Sequence, residues 1–183
     1  MGPDGGVPTL AVGEAAALVR GQEVDVSVEK VEEMVVISLP NDVAVAFGRS
    51  TSASEATPVA ADGSLRMYRD DEVDVVVTGL VPGTIYTVYL FSEPLEVGRG
   101  VADANGEVRT SVSIPGDIEF GDHTLQVNGV GPGGEIVTTS MGMQVLEREN
   151  NSTVLVLSLA AAVLLAMLGG RPIFTKRRRR RLV

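Results

Sequence analysis

Apolar and polar residues alternate with a period of two along most of this chain, and helical spacing is missing before residue 150. Residues 23–31 set Val24, Val26 and Val28 on one side and Glu23, Asp25, Ser27 and Glu29 on the other. Successive side chains of a strand point to opposite faces, so this pattern predicts one half-buried strand. Residues 34–39 and 43–47 are apolar and rich in β-branched side chains, split by the turn residues Pro40, Asn41 and Asp42. Residues 50–57, rich in Ser, Thr and Ala, predict a surface loop.

From Asp62 the punctuation is regular. Strands are predicted at 64–68, 72–78, 84–91, 94–101, 108–114, 122–130 and 135–145. Gly63, Pro82 with Gly83, Pro115 with Gly116, and the glycines around Pro132 mark the turns between them. Asn105 and Gly106 predict a tight hairpin with a type I′ turn. Seven short strands between about 62 and 147 imply an all-β, Ig-like β-sandwich. The earlier hairpins either join the same body or form a small β-subdomain.

The periodicity ends at an uncharged stretch. Residues 153–170 number eighteen, and between Val154 and Leu168 they include six leucines and three valines. Roughly 17–25 residues cross a bilayer as a helix. Those leucines and valines favour insertion by about 3–5 kcal/mol on a translocon scale. A core helix of a soluble domain keeps a polar face, and this segment has none. Arg171, Lys176, Arg177, Arg178, Arg179, Arg180 and Arg181 follow at once. Basic flanks stay cytoplasmic, so the sequence predicts a single-pass transmembrane α-helix with a cytoplasmic tail and an acidic part outside.

Charge sharpens that direction. All twenty-four Asp and Glu precede Asn150, against eight Lys and Arg in the same stretch, while seven cations lie beyond the apolar segment. An arginine run placed there is expected to meet the lipid bilayer's headgroups rather than nucleic acid. The chain then divides into a flexible start (1–12), a β-hairpin region (13–60), the sandwich (61–147), a juxtamembrane linker (148–152), the helix (153–170) and the tail (171–183). There is no cysteine, which removes disulfides, thiolate nucleophiles and cysteine-ligated zinc. Residues 1–20 have no basic n-region or apolar h-region, and Gly6 spoils a myristoylation pattern. An outward-facing domain needs an export signal, so the expectation is the C-terminal piece of a longer precursor.

Residues 87–136 resemble the Ig-like modules near the C-termini of actinobacterial cell-surface proteins. The pieces are Phe91, Ser92, Glu93 and Pro94; Asp103 to Gly106; Ile114, Pro115, Gly116 and Asp117; and the run Gly121 to Gly129. A looser likeness extends over roughly 15–147, including Ala17 to Val24. The resemblance implies an envelope protein with a structural or adhesive outer part, whose partner is another surface protein or a wall polymer. It implies no catalytic residue. No LPxTG precedes the apolar segment, so the helix itself is the expected anchor.

Several residues suggest chemistry, each beside a plainer reading. His123 is the sole histidine, so any Ser-His-Asp scheme must use it, yet no Gly-x-Ser-x-Gly elbow exists. A structural histidine is the expectation. Asp70, Asp71, Glu72 and Asp74 are weak candidates for a Ca²⁺ site, being hard oxygen ligands at a strand start. Strand alternation, however, sends Glu72 and Asp74 to one solvent face. Asp103, Asn105 and Glu107 look like part of a calcium loop, but a turn explains them. Gly131 to Gly134 is not followed by a Lys-Ser/Thr pair or a helix, so it is no phosphate loop. Nothing marks a carboxylate pair for glycoside hydrolysis. Asn150 and Asn151 match the N-glycosylation pattern but abut the apolar segment.

The sequence thus predicts a non-enzymatic, membrane-anchored surface protein with no cofactor. The alternative is a membrane-proximal stalk of a larger surface enzyme or receptor encoded upstream.

Overall fold

The computed structural model describes residues 10–49 and 63–148. The predicted transmembrane helix, the basic tail from Arg171 to Arg181 and the loop at 50–57 lie outside the described residues. Among the described residues no helix is long and apolar enough to cross a membrane.

The strands among these residues number twelve and form two sheets. They are β1 (Ala15–Val19), β2 (Gln22–Val24), β3 (Ser27–Val31), β4 (Met34–Ser38), β5 (Ala44–Arg49) and β6 (Leu65–Tyr68), followed by β7 (Glu72–Thr78), β8 (Ile85–Phe91), β9 (Leu95–Val101), β10 (Val108–Ser113), β11 (Gly121–Val130) and β12 (Ile136–Leu146). The first sheet runs β2-β1-β12-β11-β8-β9, with β6 also on β12. The second runs β10-β7-β5-β4-β3. Every pairing is antiparallel except that of β6 with β12. The long β12 holds two partners end to end: Met141 faces Ala15 of β1, and Met143 faces Leu65 of β6.

Alternation explains why the sheets close on each other. Val73, Val75 and Val77 of β7 are all but fully buried, as are Val35, Ile37, Val45 and Phe47 beside them. Val88, Leu90, Leu125, Val127, Met141 and Met143 meet them from the first sheet in a single core cluster. Fully burying such a side chain is favourable by about 1.5–3 kcal/mol. The result is an all-β sandwich.

Strands from both ends of the described chain share these sheets. β1 and β2 widen the first, and β3, β4 and β5 widen the second. All belong to one compact unit that ends at Glu147.

Two local expectations are corrected. Residues 23–31 are not one strand, because β2 ends at Val24 in the first sheet and β3 begins at Ser27 in the second. The chain turns the corner of the sandwich at Asp25 and Val26, as strands that change sheets must. Val24 and Val26 still pack on the core, but Val28 on the edge strand β3 is 44% exposed. Asn105 and Gly106 also do not make a hairpin. Their turn carries the chain from β9, in the first sheet, to β10, in the second. Gly106 N–H donates to Asp103 O, and of these two residues only Gly106 has positive φ, at 74°. That is a type I turn followed by a left-handed glycine, not type I′.

Candidate functional site

One end of the sandwich gathers three loops: residues 69–71 between β6 and β7, 92–94 between β8 and β9, and 114–120 between β10 and β11. β12 ends at the same place, with Leu146 paired to Tyr68. The loops brace one another through the backbone. Asp70 N–H donates to Ile114 O at 3.0 Å, and Ile114 N–H donates to Asp71 O at 2.8 Å. The Arg69 guanidinium lies 3.7 Å from the centre of the Phe120 ring, within cation–π range.

A cleft of about 510 Å³ opens between the second and third loops. Leu90, Leu95 and Ile118 supply apolar lining, flanked by Pro94 and Pro115. Glu93, Asp117 and Glu119 set three carboxylates around it. Two short motifs visible in the sequence, Phe91 to Pro94 and Ile114 to Asp117, meet here from opposite sheets. Such a surface suits a ligand with an apolar body and a cationic group. Ser92 lines the cleft, but the only imidazole does not.

His123 is 1% exposed, and its Nε2 faces the Glu119 carbonyl oxygen at 2.9 Å. A carbonyl only accepts, so Nε2 donates to it, while Nδ1 is buried with no hydrogen-bond partner among the described residues. The ring thereby fixes the loop that forms the cleft wall.

The acidic run does not converge. Asp70 sits in the left-handed region at φ 64°, in the turn before β7. Asp71 is buried and its Oδ2 accepts the Tyr68 N–H at 3.0 Å, closing that turn. Asp74 Oδ1 accepts a short hydrogen bond from Ser111 Oγ across the strand pair. Glu72 lies half-buried on the same face as Asp74. Among the described residues no group of three or more His, Asp or Glu side chains is placed to hold a metal ion.

At the opposite end, two carboxyls are held below the usual range. Asp103 Oδ1 accepts the backbone N–H groups of Glu107 and Asn105, both at 2.8 Å, and these lower its pKa. Glu135 is buried, and its carboxyl is lowered mainly by the Asn41 amide, which donates to Oε1 at 2.8 Å. Both act as internal caps for their loops. The sequence pointed to a turn at Asp103 to Glu107 but not to the Asp103 cap that closes it. Nothing local foretold the second, because Asn41 and Glu135 are ninety-four residues apart.

No protein-family model and no characterised protein matches this chain.

Proposed function

We propose that this is a non-enzymatic, single-pass membrane protein whose Ig-like sandwich stands at the cell surface in a structural, adhesive or binding role. The reading rests on the split of charge across residues 153–170, with all the acids before the segment and seven cations after it. Strand order supports the Ig-like part. β7 pairs with β10 in one sheet, as strands B and E do in an Ig sandwich. β8, β11 and β12 lie side by side in the other, as C, F and G do, and β9 takes the place of C′. The likeness to actinobacterial surface modules belongs to this same proposal. In this reading the carboxylate-lined cleft and the exposed sheet faces offer contacts to a wall polymer or another surface protein. The helix and its arginines fix the orientation.

The test is topological. An epitope tag at the N-terminus is expected to label on intact cells, and a tag after Val183 only once the membrane is permeabilised. The reverse pattern would overturn the orientation. Recovery of the full chain in the soluble fraction would overturn the anchor.

A further inference from the structure

The outer face of the first sheet carries a row of directly opposed residues that crosses six of its seven strands. Glu23 faces Leu18, Leu18 faces Thr138, Thr138 faces Asn128, Asn128 faces Thr87, and Thr87 faces Arg99. Residues opposed in this way point to the same side of a sheet. The next row holds Ile136 opposite Val130 and Ile85 opposite Val101. Four of these apolar side chains are open to solvent: Leu18 at 37%, Ile85 at 59%, Val101 at 61% and Ile136 at 67%. Scattered single apolar residues are ordinary on a surface, whereas a contiguous stripe across a sheet marks an interaction site.

We infer that this face binds a second copy of the same chain, sheet against sheet, about a two-fold axis parallel to the strands. Charge selects both the face and the axis. The stretch before the apolar segment carries twenty-four acids against eight cations, so two copies repel over most of their surface. On this face the carboxylates are few. Glu96 is clamped by Arg99 Nε and Nη2 at 2.9 and 2.8 Å, and Asp122 accepts a bond from Gln144. Glu23 stands at one end of the row and Arg99 at the other. An axis parallel to the strands reverses the row in the partner. Each Glu23 then lies over the partner's Arg99, joining the pair that this guanidinium already makes with Glu96, while Leu18 lies over Thr87 and Ile136 lies over Val130. An axis across the strands would instead stack Glu23 on Glu23.

Area sets the strength. Six strands spaced about 4.8 Å apart span roughly 24 Å. The half of the face nearer β12's C-terminal end is occupied: Thr124 and Ser140 are buried there, and Leu10 N–H bonds Thr124 Oγ1. About four residues of strand length stay open, close to 14 Å. That patch is under half of the roughly 800 Å² per partner in a standard interface. The dimer is therefore weak and depends on local concentration, as two chains confined to one bilayer supply.

The inference rests on the fold of residues 10–148 and on the membrane anchor proposed above, which concentrates the chains, but not on which side of the bilayer the sandwich faces. The chain has no cysteine, so single-cysteine variants of the full protein report contacts without background. With a bis-maleimide cross-linker about 11 Å long, the reach of two positions one strand apart on sheets about 10 Å apart, Ile136→Cys in membranes or mixed micelles should give at least ten-fold more linked dimer than Val28→Cys, which places an exposed thiol on the other sheet. Adding Ile85→Glu to Ile136→Cys should remove that dimer while the circular dichroism spectrum is unchanged. Glu23→Arg and Arg99→Glu should each weaken cross-linking, and the two together restore it. Equal cross-linking at both cysteine sites would overturn the proposal. So would a dimer that survives Ile85→Glu, or no cross-link at Ile136→Cys in a folded protein. Loss without rescue in the charge-swap pair would overturn the axis.

Discussion

A β-carbon placed on Gly106 would lie 2.0 Å from the carbonyl oxygen of Leu80. The two residues also share a hydrogen bond, Leu80 N–H donating to Gly106 O at 3.1 Å. The loop leaving β7 and the turn entering β10 are therefore locked backbone to backbone, at a spacing only glycine permits.

Gly106→Ala is expected to destabilise the fold by about 2–4 kcal/mol, combining left-handed strain with forced separation of the two backbones. Gly83 has a nearly identical φ of 75° and nothing within 4 Å of its β-carbon position. Gly83→Ala should thus cost only the conformational part, about 1 kcal/mol. Denaturant melts of the two variants separate the terms, and equal losses would refute the contact argument.

Gly142 is a second close approach, of another kind. Its β-carbon would meet Ala11 O at 2.0 Å, where residues 10–14 cross β12 through bonds from Gly13 to Gly142 and from Gly142 to Glu14. Gly142→Ala should unlatch this segment while leaving the core strands intact. Hydrogen exchange is the measurement: amides of residues 10–14 should lose protection, and those of β7 and β11 should keep it.

The Asp103 carboxyl predicts a pH dependence. Its folded pKa lies below the usual 3.8 because two backbone N–H groups bond the ionised form. A depressed pKa contributes stability above the unfolded value, which is lost as pH falls through the folded one. Asp103→Ala should therefore lower the melting temperature at pH 7, with the gap to the parent closing below about pH 4. A gap that is the same at pH 7 and pH 3 would remove the ionised carboxyl as its cause.

Calcium is expected to do little. Asp71 is committed to the Tyr68 amide and Asp74 to Ser111, so filling a cation site at residues 70–74 means breaking those bonds. Excess Ca²⁺ should shift the melting midpoint by less than about a degree, since a bound ion stabilises by mass action. A larger rise would place an ion there.

Much of this sandwich was legible because valine alternation is a local signal. The strand predicted at 72–78 is β7 residue for residue, and seven strands follow Asp62. What stayed hidden depends on partners. Ala15, Ala16 and Ala17 are poor strand formers, yet β1 exists because β12 offers it an edge. The sheet change at Asp25 and Val26 interrupts no alternation, so periodicity passes straight through it. The cleft was half visible: Pro115 announced one of its turns, Pro94 was read as the start of a strand, and only the pairing of β8 with β11 brings the two loops together.

The two partners held end to end by β12 have one more consequence, for force. Leu10, the first described residue, bonds Thr124 near the start of β11, and Leu146 closes β12 at that same end of the sandwich. Tension applied between these points would not stretch the sandwich along its strands. It would open β1 from β12 like a zipper, beginning at Ala15 and Met141 and loading one ladder pair at a time. The same pull at Leu146 loads the ladders of β12 with β6 and β11 from their Tyr68 and Gly121 ends, so β12 is drawn from both sides.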